Sequence, residues 1–597
     1  MWRSTFLWFG GVLGVCFANV AQGGEIVIAE DGVSRSVVVV AEDATLPEKH
    51  AAAELADFLG QVAGAEFDVV SEAEQTQSRL LVGEYAARLA DPAFTTEGLG
   101  AEGLVIRTVG RDLILAGGRP RGTLYAVYTF LEDVVGWRWW TSKVSTIPHK
   151  PTLTVPDLNI RFVPRFEYRE SFWFDALDGD WAVRNKCNGH SDRLDAVRGG
   201  KHVYEGFVHT FYGLIPPEEY FQDHPDWFSE IDGQRKHERA QLCLTNAEMR
   251  RELVKNLKAR LRANPAATIA SVSQNDWHGY CQCSRCAAID EEEGSPAGSL
   301  LRFVNAVAAD IESEFPQVAI STLAYQYTRK PPRQVRPRPN VIVRLCSIEC
   351  SFSTRLDSAR NQAFRDDILG WSKICDRLYI WDYTTNFAHY VLPHPNLRVL
   401  GPNVKFFVDH GVKGAFEQGA YQSYGSEMAE LRGWVLAKLL WDPSRDADAL
   451  VNEFVDGYYG PAAEHIRAYL RLTHDAVDAS GDYLGCYSPP DAKFLTLDTL
   501  RAGCRHLQRA EAAAGDDEEL RHRVRVAQLP VLYTFIVRWE ALRSEAAAAQ
   551  IQWPVNDTIQ AAFERFMEVA EVEKVTRVAE GRKIDWLKSV VERTQKP

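Results

Sequence analysis

Short apolar segments that end in polar or acidic residues recur along the chain from Phe166 to Gly419, and this recurrence limits the fold more than any other feature. Apolar runs of four to eight residues bounded by turn signals are typical of buried strands. Amphipathic helices separate several of them, such as Ala247–Ala263, which follows the N-cap residue Asn246 and stops before Pro265. Strands that alternate with helices predict a parallel sheet. The eight predicted strands are Phe166–Ser171, Val203–Thr210, Gln241–Asn246, Ile269–Asp276, Ala319–Gln326, Val341–Cys346, Leu378–Tyr383 and Gly414–Gly419.

The predicted fold class is therefore α/β, with a (β/α)8 TIM-like barrel as the catalytic domain over residues 156–445. No clear helix follows the first, second and fifth strands, so the barrel is expected to be irregular there. Residues 24–155 are predicted to form a small α/β N-terminal domain, because short strands surround the helical segments Glu48–Gly60 and Gly122–Gly136. Residues 446–597 show helical patterns and no strand signal, which predicts a helical C-terminal region that packs on the barrel or mediates self-association.

The first 23 residues have the features of a secretory signal peptide. Arg3 precedes an apolar run from Phe6 to Ala18, and small residues lead to a cleavage site after Gly23. The run is too short to span a membrane. We therefore expect an exported protein, periplasmic or extracellular, without membrane insertion. The net charge of −14 argues against nucleic acid as a partner.

The active sites of (β/α)-barrels form at the carboxyl ends of the strands, so the acids at strand ends are candidates for catalysis. Asp276, Asp382 and Glu417 follow the fourth, seventh and eighth predicted strands, and aromatic residues flank each of them. Glycosidic bond cleavage requires a proton donor and a second carboxylate, and apolar walls raise the pKa of one carboxyl so that it can donate. We predict that these three acids meet in one aromatic-walled cup at the mouth of the barrel.

Other polar and aromatic residues at the strand ends are predicted to bind substrate. Tyrosine and tryptophan present flat faces against which sugar rings stack, although core packing explains most such residues in any protein. The predicted substrate-binding residues are Trp277, Asn275, His209, Tyr325, Trp381, Tyr383, Asn386, Glu170, Gln418 and Tyr421.

Cysteines are concentrated just after the fourth predicted strand, in the run His278-x-x-Cys281-x-Cys283-x-x-Cys286. A zinc knuckle would require four ligands, and the usual pair of C-x-x-C motifs is missing. In an exported protein, disulfides to Cys187 or Cys243, or free loop thiols, are favoured over a structural metal. We predict no catalytic metal and no cofactor.

Several segments resemble a known family of uncharacterised domains, numbered 4838, which is placed among the barrel glycosidases and overlaps glycoside hydrolase family 163. Two N-terminal segments resemble the domain that precedes the barrel in family 67 α-glucuronidases and family 20 β-hexosaminidases. The barrel segments are SVSQNDWHGYCQCSRC, LAYQYTRKPP, NVIVRLCSIEC, RLYIWDYTTNFAHYVLPHPN, GVKGAFEQGAYQ and AKLLWDP, and the N-terminal ones are AAAELADFLGQVAG and LAGGRPRGTLYAVYTFLEDVVGWRWW.

The resemblance implies a barrel glycosidase that acts on a glycan. Family 163 members release glycans as endo-β-N-acetylglucosaminidases, and family 67 members remove uronic acid and carry a helical C-terminal region. Family 20 members place an Asp-Glu pair after the fourth strand for substrate-assisted catalysis. This chain has Asn275-Asp276 there, with one acid instead of two, which argues against that mechanism.

The leading hypothesis is a glycoside hydrolase of complex glycans, resembling an N-acetylglucosaminidase, with Asp276 as general acid, Glu417 as partner carboxylate and Asp382 as helper. One alternative is removal of uronic acid, as in an α-glucuronidase. Another is a glycan-binding protein on a barrel without activity. A third is a scaffold that forms a homodimer through the helical C-terminal region.

Overall fold

A computed structural model describes residues 25–73 and 77–595 of the chain. The predicted signal peptide lies outside these residues. Within them, no helix is both long and apolar enough to cross a membrane.

The N-terminal unit is a mixed sheet covered by two helices, Leu46–Ala63 and Gly122–Phe130. Thr45 caps the first helix by accepting the Glu48 N–H, and the Glu48 carboxylate accepts the Thr45 N–H in return. Among the described residues, the sheet strands in spatial order are Asn159–Phe162, Leu104–Val109, Asp112–Gly117, Ser78–Val82, Ser36–Val40 and Val69–Val70. A smaller sheet combines Leu153–Val155, Ile26–Glu30 and Val33–Ser34. Because Asn159–Phe162 pairs with this unit, its sheet extends beyond the predicted boundary at residue 155.

The central unit is a curled parallel sheet. Its strands, in spatial order within the described part of the chain, are Tyr168–Phe172, Gly414–Gln418, Leu378–Tyr383, Val341–Cys346, Ala319–Ala324, Ile269–Ser271 and Tyr204–Glu205. The two edge strands share no pairing register, but the rings of Tyr168 and Tyr204 lie 6.1 Å apart. The sheet therefore curls almost onto itself and encloses a lumen filled by side chains.

The third predicted strand is wrong: Gln241–Asn246 does not join this sheet. Leu242 forms an isolated bridge with Phe228, and the adjacent Cys243 is buried in a cluster of cysteines. The apolar residues of this segment pack against a loop. Apolar character alone does not distinguish a strand of the central sheet from a buried loop segment. A curled sheet of seven strands in the described residues replaces the predicted (β/α)8 barrel.

The helices around the sheet separate its outer face from solvent. They are Gly179–Arg184, Ala247–Ala263, Ser284–Glu293, Ala297–Glu312, Gln362–Trp371, Leu397–Asp409 and Ala429–Trp441. The predicted helix Ala247–Ala263 is confirmed, and the Asn246 side chain caps it by accepting the N–H groups of Glu248 and Met249.

The lumen and the outer face of the sheet can be assigned from contacts. The Arg344 guanidinium lies in the lumen, within 4.8–5.6 Å of ring centroids from around the sheet, those of Tyr168, Tyr204, Phe207, Trp381 and Phe416. On the other face, the Ser171 hydroxyl donates to the carbonyl oxygen of Gly433 in the helix Ala429–Trp441 (2.9 Å). Side chains alternate between these two faces along each strand.

The C-terminal region packs on the sheet and contributes to its mouth. Its helices are Ala447–Tyr459, Ala463–Ser480, Leu497–Ala513, Glu518–Val537, Trp539–Ala548, Ile559–Glu573 and Asp585–Thr594. The prediction of helix throughout is wrong at one place, where Arg577–Ala579 and Arg582–Lys583 form a hairpin. This hairpin contacts the loop after Leu378–Tyr383, because Val578 O accepts the Tyr390 N–H (2.8 Å) and Glu580 donates its N–H to Phe387 O (2.9 Å).

Candidate active site

Asp276 lies at the open end of the curled sheet. It follows the strand Ile269–Ser271, and 59% of its side chain is exposed. The Tyr325 hydroxyl donates to Asp276 Oδ1 (3.0 Å), and His209 Nε2 lies 4.0 Å from the same oxygen. His209 has a left-handed φ of 55°, which is uncommon for this residue type, and its Nδ1 bonds to Gln274 O (2.7 Å). Three of the predicted site residues, Asp276, Tyr325 and His209, thus come together.

A second carboxylate at the mouth is Glu580, from the C-terminal hairpin. Burial raises its pKa, the hydrogen bond from the Tyr421 hydroxyl (3.2 Å) lowers it, and the negative charge of Asp276 raises it. The charge of Asp276 therefore favours the protonated form of Glu580. Glu580 is not among the predicted site residues, because the sequence predicts only helices for residues 446–597.

Tyr487, from the loop between the helices Ala463–Ser480 and Leu497–Ala513, forms part of the rim. Its side chain is 57% exposed, and its ring lies 5.9 Å from the Phe387 ring. Burial raises the pKa of Tyr487, and Cys486, Glu580 and Asp276 add to the effect. An aromatic face is therefore available to solvent beside both carboxyl groups. No feature of the sequence indicates that this loop reaches the mouth.

Asp382 and Glu417 do not meet Asp276, and the prediction that the three acids form one cup is wrong. Asp382 and Glu417 are register partners on neighbouring strands, one position after Trp381 and Phe416, which face the lumen. Alternation turns both acids to the outer face. Glu417 also pairs in register with Ser171, which contacts the helix layer. Both carboxyl groups are buried there, at 3% and 0% exposure.

The burial of this acid pair has electrostatic consequences. Asp382 accepts hydrogen bonds from the Ser347 hydroxyl and the Tyr383 N–H (2.9 Å), and burial raises its pKa to about 6. Neither carboxyl oxygen of Glu417 has a hydrogen-bond partner among the described residues. Burial, and then the charge of Asp382, raise the pKa of Glu417 well above its usual range. Both effects favour the protonated form of Glu417.

Three further predicted residues face the lumen but contact other side chains. Trp381 Nε1 donates to Gln418 Oε1 (2.8 Å). Glu170 is fully buried and accepts hydrogen bonds from the Tyr168 hydroxyl and the backbone N–H of Ser191 (2.9 Å). These contacts fill the base of the lumen, which is a packed core.

The rings of two predicted tyrosines connect this core to the rim. Tyr383 stacks on Trp381 at 6.2 Å and meets the edge of Phe387 at 5.9 Å. Tyr421 stacks on Phe172, with ring centroids 4.6 Å apart, while its hydroxyl contacts Glu580.

The remaining predicted substrate-binding residues fix loops. Asn275 and Trp277 both donate a side-chain N–H to Ala240 O, at 3.2 and 2.6 Å. The Asn386 amide donates to Ser488 O (2.7 Å) and so joins the loop after Leu378–Tyr383 to the loop that carries Tyr487. Their polar groups position the mouth and are not free for a sugar.

The cysteine run is joined by one of its two predicted partners. Cys243 lies with Cys281, Cys283 and Cys286 in a buried cluster, whereas Cys187 lies elsewhere, beside Tyr125. None of the four cysteines of the cluster forms a disulfide in the structure.

Comparison with known proteins identifies the family. The model of the family described as "Domain of unknown function (DUF4838)" matches residues 139–471. The chain belongs to this family. The model described as "Glycosyl hydrolase family 67 N-terminus" matches residues 30–130. The two family matches confirm the resemblance seen in the sequence of this DUF4838 protein. No curated protein matches the chain.

Among solved structures, this DUF4838 protein is similar to a family GH115 4-O-methyl-α-glucuronidase with specificity for decorated arabinogalactans. The TM-score is 0.59 at 11% identity, over 92% of this chain and 77% of that one. A GH138 enzyme targeting pectin rhamnogalacturonan II matches with a TM-score of 0.41 at 12% identity, over 94% and 98%. At such identity the first likeness establishes the fold alone: an N-terminal α/β domain, a curled parallel sheet and a helical C-terminal region similar to those of a glycoside hydrolase.

Proposed function

We propose that this protein is a glycoside hydrolase that cleaves a uronic acid residue from a glycan, with Asp276 and Glu580 as its two carboxylates. The observation that carries the proposal is that two acids from distant segments each accept a hydrogen bond from a tyrosine hydroxyl at the mouth of the sheet, Asp276 from Tyr325 (3.0 Å) and Glu580 from Tyr421 (3.2 Å). The negative charge of Asp276 also raises the pKa of Glu580. Two carboxyl groups that flank a glycosidic bond are the usual requirement for its hydrolysis.

The two acids differ in environment, which suggests different roles. Glu580 is half-buried, and burial and the charge of Asp276 favour its protonated form. It is therefore suited to donate a proton to the leaving oxygen. Asp276 is exposed, and the Tyr325 hydroxyl fixes its orientation. It is suited to act on the anomeric carbon, directly or through water.

A uronic acid fits this opening because cationic groups lie next to the acids. Arg577 Nη1 donates to Glu580 O (2.8 Å), and its positive charge acts on Glu580 and Tyr421. A substrate carboxylate would bind Arg577 by a charge-assisted hydrogen bond, with His209 on the other side of the opening as a second hydrogen-bond partner. The family 67 N-terminal match and the likeness to a family 115 α-glucuronidase fold favour uronic acid removal over release of N-acetylglucosamine.

The test compares the variants Asp276→Asn and Glu580→Gln with the parent protein on glucuronoxylan, aryl α-glucuronides and N-glycans. We expect turnover on the uronic acid substrates, and a loss of at least ~10²-fold in each variant, because general acid–base catalysis contributes that much. Glu571→Gln, which changes an exposed acid on the neighbouring helix, serves as the matched control and should keep full activity.

The variant Glu417→Gln tests the assignment based on sequence, in which Glu417 is catalytic, against the assignment based on the structure, in which Glu580 is. If Glu417→Gln abolishes turnover while Glu580→Gln leaves it near normal, the assignment of Glu580 is wrong. Calorimetric binding of these glycans without any release of reducing sugar would favour a glycan-binding protein instead.

A further inference from the structure

Four cysteines converge behind the loop that carries Asp276. Cys281 and Cys283 belong to this loop, Cys286 lies in the first turn of the helix Ser284–Glu293, and Cys243 comes from the segment before Ala247–Ala263. Their four Sγ atoms all lie within 4.8 Å of one another, and the side chains are 0–5% exposed. The cluster joins two segments of the chain, because Cys243 and Cys283 are separated by 40 positions.

The sulfur distances match a shared metal ion. Cys243 Sγ lies 3.8 Å from Cys283 Sγ and 4.0 Å from Cys286 Sγ. Sulfur atoms placed tetrahedrally at about 2.3 Å from zinc are roughly 3.8 Å from each other. We propose that Cys243, Cys281, Cys283 and Cys286 bind one structural Zn²⁺ ion as thiolates.

Polar groups around the cluster suit a negatively charged zinc–thiolate centre. Cys281 Sγ accepts hydrogen bonds from the Glu230 N–H (3.3 Å) and from Arg235 Nη1 (3.7 Å). Thr245 Oγ1 lies 3.3 Å from Cys286 Sγ. Four thiolates around Zn²⁺ carry a net charge of −2, and N–H donors and a guanidinium next to the sulfurs offset it. The thiol protons are released when the ion binds.

The ion would hold the loop of Asp276 in place. Gln241, two residues before Cys243, accepts the Asn275 N–H (2.9 Å) and donates to Trp277 O (2.6 Å), so its side chain binds both neighbours of Asp276. The metal fixes Cys243 on one side and Cys281 on the other. Because sulfur occupies all four positions, no site remains open for water or substrate, and the role is structural.

The test is the metal content of the full chain, purified without a metal-binding tag. We expect one zinc per chain by elemental mass spectrometry, and near-complete loss of zinc in Cys243→Ser and Cys283→Ser. Cys504→Ser, which changes a half-buried thiol outside the cluster, should keep one zinc per chain.

A second measurement applies if the serine variants do not fold. Exchange of the wild-type protein with Co²⁺ should give the intense visible absorption of a tetrahedral tetrathiolate site. An intact mass lower by four hydrogens would mean two disulfides in place of the metal, and would overturn the proposal. So would four free thiols without metal, or iron in place of zinc. These readouts do not depend on catalytic activity, so they are independent of the function proposed above.

Discussion

At the scale of single residues, the hydrogen bond from the Tyr421 hydroxyl lowers the pKa of Glu580. Burial and Asp276 raise the pKa of Glu580, and the Tyr421 hydrogen bond opposes them. Tyr421→Phe keeps the ring on Phe172 but removes this bond, so the pKa of Glu580 should rise further. Because a general acid fails once it has lost its proton, the basic limb of the pH–rate profile should move to higher pH. The maximal rate should change by about tenfold at most, as expected for one hydrogen bond.

Initial rates across a pH series on an aryl glycoside would measure this shift. Tyr483→Phe is the matched control, since its hydroxyl contacts Glu349 O at the surface. A shift of the limb to lower pH, or no shift in Tyr421→Phe, would contradict the role of Glu580 as the acid.

At the scale of elements, the register of the strands Leu378–Tyr383 and Gly414–Gln418 places Glu417 beside Asp382, and both side chains are buried. The pKa of Glu417 is raised in the folded state, so its contribution to stability is fully present below its ordinary pKa and is lost as pH rises through the folded value. Glu417→Gln keeps a side chain of the same shape but removes the group that titrates. We expect the variant to lose less unfolding free energy than the parent between about pH 5 and about pH 8, by at least about 1.4 kcal/mol, the equivalent of one pKa unit.

Chemical denaturation at both pH values gives this difference, with Glu571→Gln as the exposed control. Identical pH dependence in the parent and in Glu417→Gln would show that Glu417 is not a buried neutral acid in the folded protein.

The same strands explain which features could be predicted from sequence. Val341–Cys346 and Leu378–Tyr383 have the predicted limits, because buried parallel strands are continuous apolar runs. Such a run does not reveal which face is the lumen, and an offset of one residue turned Asp382 and Glu417 outward. Asp276 was identified because it follows a strand at the mouth. Glu580 was missed because a short hairpin, far along the chain, brings it there.

At the scale of the whole molecule, a buried ion cluster joins the N-terminal unit to the curled sheet. Glu102 binds Arg121 (2.6 Å) of its own unit and Arg169 (2.7 Å) of the edge strand Tyr168–Phe172, and it accepts an N–H from Asn188 (2.7 Å). Burial alone would raise the pKa of Glu102, but Arg169 and Arg121 outweigh it and lower the value to about 2. The cluster therefore stabilises the fold above the ordinary pKa of glutamic acid, and this contribution is lost as pH falls towards about 2.

Glu102→Gln should expose the cost of leaving these cations without their anion. Removing one partner from a buried ion pair typically costs about 3–5 kcal/mol, whereas a surface pair contributes about 0–1 kcal/mol. Glu30→Gln is the matched control, because Glu30 and Arg35 form an exposed pair in the same N-terminal unit. Denaturant unfolding at neutral pH should show a large loss for Glu102→Gln and a small one for Glu30→Gln. The stability of Glu102→Gln should approach that of the parent only as pH falls from about 4 towards about 2. Equal losses in the two variants at neutral pH would mean that the cluster does not hold the N-terminal unit on the sheet.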